Sequence, residues 1–329
     1  MALSCTEFRA ENDDNLAECK EQHDNYKQNQ YGIKFRYFNH LKIEEALKNS
    51  KQFCQALSMV EDLIDNDNLC CYYSYVCNAE LRFKNIFNFE EAKTVIGKTR
   101  MFIVNLCNLI EFIIGVLPNE YSIFRGDPIV TSHYRDHIMI DKTVIDGFCV
   151  NQTDSTARLH MEVFFVFSKI LHELGHALSY HCARVYLTNE KDINKKFETP
   201  KTHCLQGESG NAIERLLFGS VIDAPGRMQD DKYIIQYLIL PDGRISAVID
   251  EIWISSFVND ALNMHKLKTI DPIEPIPFKF LTKNLKRKLE CGSKDFQTKR
   301  TCSKLIISDP DWSDSDDIEY QLTYTTVKV

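Results

Sequence analysis

The sequence predicts an α+β fold that is mostly helical, with a small mixed or antiparallel sheet and a central helix that carries a His-Glu-x-x-His motif. Apolar residues recur at helical spacing along most of the chain, while β-branched, partly alternating residues are confined to a few short stretches. An unbroken helical pattern surrounds His172, Glu173 and His176. At 329 residues with 44% hydrophobic content, the chain can bury a large core.

The N-terminal third is predicted to be helical after a polar start. Residues 1–30 have no apolar period, so we expect them to be flexible. Apolar residues recur at threes and fours from Ile43 to Ile64, and the stretch from Leu69 to Phe83 is a second predicted helix. The stretch from Phe89 to Val116 predicts a long, buried apolar helix that ends before Pro118.

The apolar stretch from residue 89 to residue 116 is also the candidate for a membrane span. Polar and charged side chains interrupt it at Lys98, Arg100, Asn105, Asn108 and Glu111. Because a transmembrane helix needs about 20 predominantly apolar residues, the sequence predicts no membrane span.

The small sheet is predicted just before the motif. Residues 121–124 and His137 to Ile145 are β-branched and partly alternating, which indicates strands. The motif helix is predicted to begin near residues 154–156, where Asp, Ser and Thr can cap it, and to run to about Tyr186.

Three further elements are predicted after the motif helix. Residues 207–219 indicate a helix with an acidic start and a Gly stop. Tyr233–Leu240 and residues 244–249 flank a Pro-Asp-Gly turn, which predicts a hairpin. Ile252 to Met264 is the last predicted helix. Residues 281–329 form a charged tail, with a basic cluster at 283–288.

Charge and cysteine content restrict the partners and the compartment. A net charge of −8 gives no indication of nucleic-acid binding. The twelve cysteines are scattered and no secretory signal precedes them, so we expect reduced thiols in an intracellular, cytoplasmic protein. The basic cluster at 283–288 is compatible with a nuclear location as the alternative, but its composition favours a solvated helix end. The oligomeric state is not indicated by the sequence.

The motif has the chemistry of a catalytic zinc site. Residues four apart lie on one face of a helix, so His172 and His176 project together and supply two imidazole ligands. Glu173 lies beside them and can act as general base toward a water molecule. Gly175 costs about 1 kcal/mol against Ala in a helix interior, which predicts that another element packs closely there.

A catalytic zinc site needs a third protein ligand, and several residues are candidates. Glu208 and Glu214 belong to the next predicted helix, but six residues turn a helix by about 600°, so the two carboxylates cannot both face the metal. His181 and Cys182 follow the second histidine. Cys182 is predicted to be an ordinary buried thiol, because the glycine that turns the chain in an extended zinc motif is Ser179 here.

On these residues the sequence resembles the gluzincin side of the zincin metallopeptidases, in which a Glu on a second helix completes the zinc site. Residues 207–219 are similar to a segment of ImmA/IrrE-type zinc proteins, with Ser209 at the small position after the Glu and paired leucines at 216–217. Residues 135–220 also resemble uncharacterised fungal His-Glu-x-x-His proteins. The resemblance implies Zn²⁺ as cofactor, Glu208 as the third ligand, and Glu214 as an alternative ligand or a residue that supports one.

We expect one zincin-like metallopeptidase domain at residues 31–280, with a helical part at 31–118 and a catalytic part at 119–265. The resemblance itself covers only about residues 135–220 and assigns no family to the N-terminal helices. The predicted function is hydrolysis of peptide or protein substrates, and an edge strand from residues 137–145 is expected to align the substrate backbone. The first alternative is a metal-binding, non-catalytic interaction protein. The second is a helical scaffold without metal.

Overall fold

The computed structural model describes residues 30–77, 96–117, 120–126, 136–150, 156–186, 209–242, 245–264 and 278–280 of the chain. In these ranges the fold is α+β and mostly helical, as the sequence predicts. The helices are α1 Glu45–Lys48, α2 Lys51–Ile64, α3 Asp67–Cys77, α4 Ile96–Leu109, α5 Lys142–Val150, α6 Thr156–Tyr186, α7 Ser209–Phe218 and α8 Glu251–Met264. The strands are β1 Glu111–Gly115, β2 Ser122–Arg125, β3 His137–Asp141, β4 Gly226–Gln229, β5 Lys232–Ile235, β6 Ile239–Asp242, β7 Ile245–Ile249 and β8 Phe278–Phe280. None of the described helices combines the length and the apolar character that a membrane crossing requires.

The 31-residue helix α6 is the centre of the described fold. Helices α2, α7 and α8 pack along it, and strand β2 lies against it. The predicted apolar stripe of Leu171, Leu174 and Leu178 is fully buried. Tyr73 of α3 donates its hydroxyl to the Leu171 carbonyl at 2.8 Å. The motif helix is therefore fixed on several sides by burial and by a buried hydrogen bond.

An aromatic cluster joins the first half of α6 to its neighbours. The Phe164 ring lies edge-on to Phe218 of α7 and to Trp253 and Phe257 of α8, with centroid distances of 5.3 to 5.7 Å. Each such pair contributes about 0.5–1.5 kcal/mol beyond the burial of its area. This cluster sets how α7 and α8 pack against the motif helix.

The sheet beside α6 has the order β1-β3-β2, with β1 parallel and β2 antiparallel to β3. The prediction of an edge strand at residues 137–145 is therefore wrong, because β3 is paired on both sides. It is also too long. The chain turns into α5 at Lys142, where Asp141 accepts hydrogen bonds from the Thr143 amide and hydroxyl, both at 2.6 Å. The edge that lies against α6 is β2.

The prediction of one helix from Phe89 to Val116 is also wrong at its C-terminal end. Helix α4 ends at Leu109, and Glu111–Gly115 forms strand β1. Phe112 is fully buried, pairs with Ile138 and forms an isolated bridge with Ile43. A short buried strand is as uniformly apolar as a buried helix, so periodicity does not distinguish them. The predicted start at Phe89 lies outside the described residues.

The remaining elements agree in part with those that the sequence predicts. The predicted helix from Ile43 to Ile64 is divided into α1 and α2, because Ser50 caps α2 by accepting the Phe53 amide. Helix α7 ends before Gly219, whose φ of +77° is the left-handed value expected at a Gly stop. The β6–β7 hairpin is confirmed, but its turn is shorter than predicted, because Pro241 and Asp242 belong to β6 and pair with Ser246 and Ile245. Residues 233–240, however, belong to two sheets, because Asp230 and Asp231 with positive φ close a β4–β5 hairpin that the sequence reading missed.

A buried carboxylate anchors the first described segment to α2. Glu61 is 1% exposed and accepts the backbone N–H groups of Arg36, Tyr37 and Phe38 at 2.8, 2.5 and 3.0 Å. Burial raises the pKa of Glu61 to about 7, against the opposing effect of the three amides and the Arg36 guanidinium. This contact fixes residues 36–38 across the first long helix.

The Glu61 anchor predicts a pH dependence of folding stability. The pKa of Glu61 is 4.5 in an ordinary setting and about 7 in the folded protein. Between these two pH values, the folded state holds a proton that the unfolded state releases. Stability should therefore fall as the pH rises through this window and level off above it. In Glu61→Gln this slope should be absent, and the variant should lose about 1–3 kcal/mol because its NH₂ group faces a backbone donor.

Urea unfolding at several pH values measures both effects. Glu45→Gln is the matched control, because the Glu45 side chain is 75% exposed on α1. A Glu61→Gln variant that keeps the wild-type slope between pH 5 and about 7 would contradict the assignment.

Candidate metal centre

The motif histidines lie on the open face of an otherwise buried helix. Between residues 160 and 180 of α6, every residue is buried except Lys169, His172, His176 and Ser179. These positions are spaced by three, four and three residues, so they form one stripe along the helix. The backbone of both histidines is therefore packed in the protein, while solvent and a ligand can reach their imidazole side chains.

The imidazole nitrogens converge as a metal site requires. His172 Nε2 and His176 Nε2 are 3.2 Å apart, with ring centroids at 5.0 Å. Two nitrogens bound at about 2.0–2.1 Å to a tetrahedral zinc ion are about 3.3 Å apart. The same separation also allows a hydrogen bond from one ring to the other in the metal-free protein. The donor pair therefore fits zinc in both spacing and chemical type.

His172 is supported from behind by a buried carboxylate. Glu214 Oε1 lies 2.7 Å from His172 Nδ1, and the Glu214 side chain is 0% exposed. Lys169 Nζ lies 2.8 Å from the same oxygen, and the Ile222 amide donates to Oε2. Burial raises the pKa of Glu214, but Lys169, His172 and the Ile222 amide outweigh it and hold the pKa below its ordinary value. An ionised Glu214 only accepts hydrogen bonds, so a neutral His172 carries its proton on Nδ1 and its lone pair on Nε2.

His176 also has a polar neighbour at its Nδ1 atom. Ser209 Oγ lies 3.2 Å from His176 Nδ1, and Ser209, the first residue of α7, is 1% exposed. Both Nδ1 atoms are thus occupied by residues of α7. Partners of this kind fix the ring orientation and the tautomer of metal-binding histidines.

Two glycines allow α7 to approach the motif. A Cβ atom at Gly175 would lie 3.0–3.1 Å from Ile213 and from the Ser209 carbonyl, which confirms the close packing that the sequence predicts there. A Cβ atom at Gly210 would lie 2.4 Å from His172 Nε2. Gly210 therefore leaves the space in which the His172 ring lies.

Glu173 is held by the edge strand β2. Ser122 Oγ donates to one carboxylate oxygen at 2.6 Å, and the Phe124 amide donates to the other at 2.7 Å. Glu173 is 3% exposed. The residue that the sequence assigns as general base thus joins the motif helix to the outer edge of the sheet.

A second carboxylate, Glu120, lies in the electrostatic surroundings of the motif. Partial desolvation by the neighbouring residues, and after it the Glu173 charge, raises the pKa of Glu120, while Arg125, His176 and His172 oppose the shift. Glu120 is exposed. The site therefore has acidic groups on the β2 side as well as on the α7 side.

The described residues do not supply a third ligand beside the two histidines. In the part of the chain that the structure describes, no group of three His, Cys, Asp or Glu side chains is arranged to hold a metal ion. Glu208, the predicted ligand, and the Cys182 side chain lie outside the described residues. His181 Nε2 is in a 2.7 Å ion-pair contact with Asp136, without the alignment of a hydrogen bond. Glu214 contacts the nitrogen of His172 that faces away from His176.

The sequence predicted Glu214 as an alternative ligand or a supporting residue, but it did not predict supporting roles for Lys169, Ser209, Ser122 or Glu120. The spacing in the sequence could have predicted Lys169, since it lies three residues before His172 on the same helix face. Ser209 directly follows the predicted ligand, which places it near the site if Glu208 is correct. Nothing in the sequence singles out Ser122 or Glu120, because their positions depend on the pairing of β2 with β3.

Comparisons with protein-family models, with curated proteins and with solved structures find no match for this chain. The zincin resemblance therefore stays a prediction from the motif, and the functional class rests on the geometry of the site.

Gly210→Ala should displace the His172 ring and weaken zinc binding. Helix propensity alone favours Ala over Gly by about 1 kcal/mol, so a loss of zinc affinity would come from the steric contact. Zinc affinity by chelator competition measures the effect. Gly97→Ala is the control, because a Cβ atom there meets nothing within 4 Å. Equal zinc affinity in the two variants would show that the ring does not need this space.

Proposed function

We propose that the protein is a zinc-dependent metallopeptidase that hydrolyses peptide bonds. The observation that carries this proposal is the 3.2 Å approach of His172 Nε2 and His176 Nε2 on the open face of a buried helix. Support comes from the carboxylate and the hydroxyl behind the two rings, which leave both Nε2 atoms directed toward a common position.

His172 and His176 would hold the zinc ion together with Glu208, which keeps its role as the proposed third ligand. When bound, zinc supplies Lewis-acid chemistry, since it polarises a carbonyl group and lowers the pKa of water. Glu214 would keep His172 oriented, because it contacts Nδ1 at 2.7 Å.

Glu173 would take the proton from the attacking water and deliver it to the leaving amine. Each oxygen of an ionised carboxylate has two acceptor sites, so the hydrogen bonds from Ser122 and Phe124 leave capacity for a water molecule. These two donors also restrict the carboxylate to one orientation. Ser122 and the Phe124 amide are therefore positioning groups for the proposed base.

Strand β2 replaces residues 137–145 as the proposed guide for the substrate backbone. Tyr121 O accepts the Asp141 amide, so the alternation of an antiparallel pair directs the backbone groups of Ser122 and Phe124 to the outer edge. An extended peptide can pair with such an edge. The Phe124 amide already donates to Glu173, so the substrate backbone would pair with the other outward-facing backbone groups of Ser122 and Phe124.

A metal-binding protein without catalysis is the second candidate, and one observation favours it. Glu173 is almost completely buried, and both of its oxygens already accept hydrogen bonds from β2. A structural link between helix and sheet would have the same appearance. The proposed intracellular location rests on the sequence alone.

The wild-type protein should bind about one zinc ion per chain, and His172→Ala and His176→Ala should each lose it, because each variant removes one imidazole ligand. Metal content after dialysis measures this, with His40→Ala as control, since His40 lies in the turn before α1. Stoichiometric zinc in both site variants would refute the assignment of the ligands.

Glu173→Gln should retain zinc and lose hydrolysis of a peptide library. The Gln side chain can keep both contacts, with its oxygen on the Phe124 amide and its NH₂ group on Ser122 Oγ, so the fold should be preserved. Active Glu173→Gln protein would remove the proposed base. A wild-type protein that binds zinc but cleaves no peptide would favour the non-catalytic candidate.

Glu208→Ala should weaken zinc binding far more than Glu214→Ala. Loss of a residue that orients a ligand histidine typically costs about 10–100-fold in affinity, which is less than the loss of a ligand should cost. Matched chelator competition on both variants gives the order. The reverse order would make Glu214 the ligand, and no effect of either variant would direct the search to His181 or Cys182.

A further inference from the structure

The side chain of Lys169 lies beside the proposed zinc site but has no place in the proposed reaction. It precedes His172 by three residues on α6, and both side chains lie on the partly exposed stripe of that helix, with 13% and 16% exposure. Its ammonium group is directed away from solvent, toward two oxygen atoms of the polypeptide. These are Glu214 Oε1 at 2.8 Å and the Ile222 carbonyl at 2.7 Å.

The oxygen that Lys169 contacts is the same one that contacts His172. Glu214 Oε1 therefore lies between the Lys169 ammonium and His172 Nδ1, while Oε2 receives the Ile222 amide. Ile222 thus takes part twice, since its carbonyl accepts from Lys169 and its amide donates to Glu214. The carboxylate is held from two sides and cannot rotate without breaking these contacts.

Stability alone does not explain this arrangement. The Glu214 side chain is fully buried, and a buried ion pair typically contributes little net stability compared with a hydrophobic pair of similar volume. Its specific effect is on the imidazole, because a carboxylate fixed in this orientation requires a donor at His172 Nδ1. The lone pair of His172 is then on Nε2, on the side of His176.

We propose that Lys169 is a positioning residue for metal binding, which holds Glu214 so that His172 presents Nε2 to the metal. This inference rests on the proposed zinc site and adds a residue to it. Lys169 contacts neither the zinc position nor the substrate in this assignment. It acts through Glu214 and His172.

The first test uses the metal-free wild-type protein. Selective ¹⁵N labelling of histidine reports by NMR which ring nitrogen of His172 carries the proton. The expected result is a proton on Nδ1 and none on Nε2. In Lys169→Met the two tautomers should be mixed. A wild-type His172 that carries its proton on Nε2 would overturn the proposal.

The second test measures zinc affinity by chelator competition. Lys169→Met should bind zinc about 10–100-fold more weakly than wild type, in the range of residues that orient a ligand. Lys169→Arg, which keeps a cationic donor, should restore most of the affinity. The control is Lys142→Met, since Lys142 forms an exposed ion pair with Asp146 at the start of α5.

A double variant separates the proposed path from a general loss of stability. If Lys169 acts through Glu214, then Lys169→Met combined with Glu214→Gln should lose no more affinity than Glu214→Gln alone. Wild-type affinity in Lys169→Met, or equal losses in the Met and Arg variants, would overturn the proposal. If Lys169→Met does not fold, the Arg variant and the wild-type tautomer decide. A wild-type protein that binds no zinc would refute the proposed function, whereas the tautomer measurement would still report on Lys169.

Discussion

The close approach of α7 to α6 is the constraint on which the rest of the site depends. Gly175 on one helix and Gly210 on the other leave room for this contact, and Ser209 and Glu214 reach the backs of the two imidazoles because of it. A larger side chain at Gly175 would press on the α7 backbone, and one at Gly210 would displace the His172 ring. The glycine in the motif therefore has a geometric role, in spite of its cost of about 1 kcal/mol in helix propensity.

Strand β2 defines the opposite wall of the site. It is antiparallel to β3, and its outer edge donates the Phe124 amide and the Ser122 hydroxyl to Glu173. The three motif side chains are thus held by two different elements, the histidines by α7 and the glutamate by β2. The helix supplies the spacing, and its neighbours supply the orientation.

Local patterns predicted much of this arrangement, and tertiary pairing decided the rest. The motif helix, the stripe of Leu171, Leu174 and Leu178, and the Gly stop of α7 follow from helical spacing and backbone preference, which are local properties. The identity of β1 does not, because Phe112 becomes a strand residue only through its pairing with Ile138 and Ile43. The position of β3 in the centre of the sheet, and hence the role of β2 as the edge, is also fixed by partners distant in sequence. Ser122 could not be predicted for the same reason.

The separation of the site residues along the chain has a consequence for how the protein responds to metal. Ser122 and Glu173 are 51 residues apart, and His172 and Glu214 are 42 apart, so neither contact exists before distant parts of the chain have met. An unfolded chain lacks these contacts, and any metal that its separate histidines and cysteines bind reduces the stabilisation that metal gives to the fold. A metal ion bound only by the folded state would therefore raise the free energy of unfolding by about 1.4 kcal/mol for each tenfold increase in free metal above the dissociation constant. The unfolding temperature would rise with it. Bound metal would then stabilise the fold as well as complete the site.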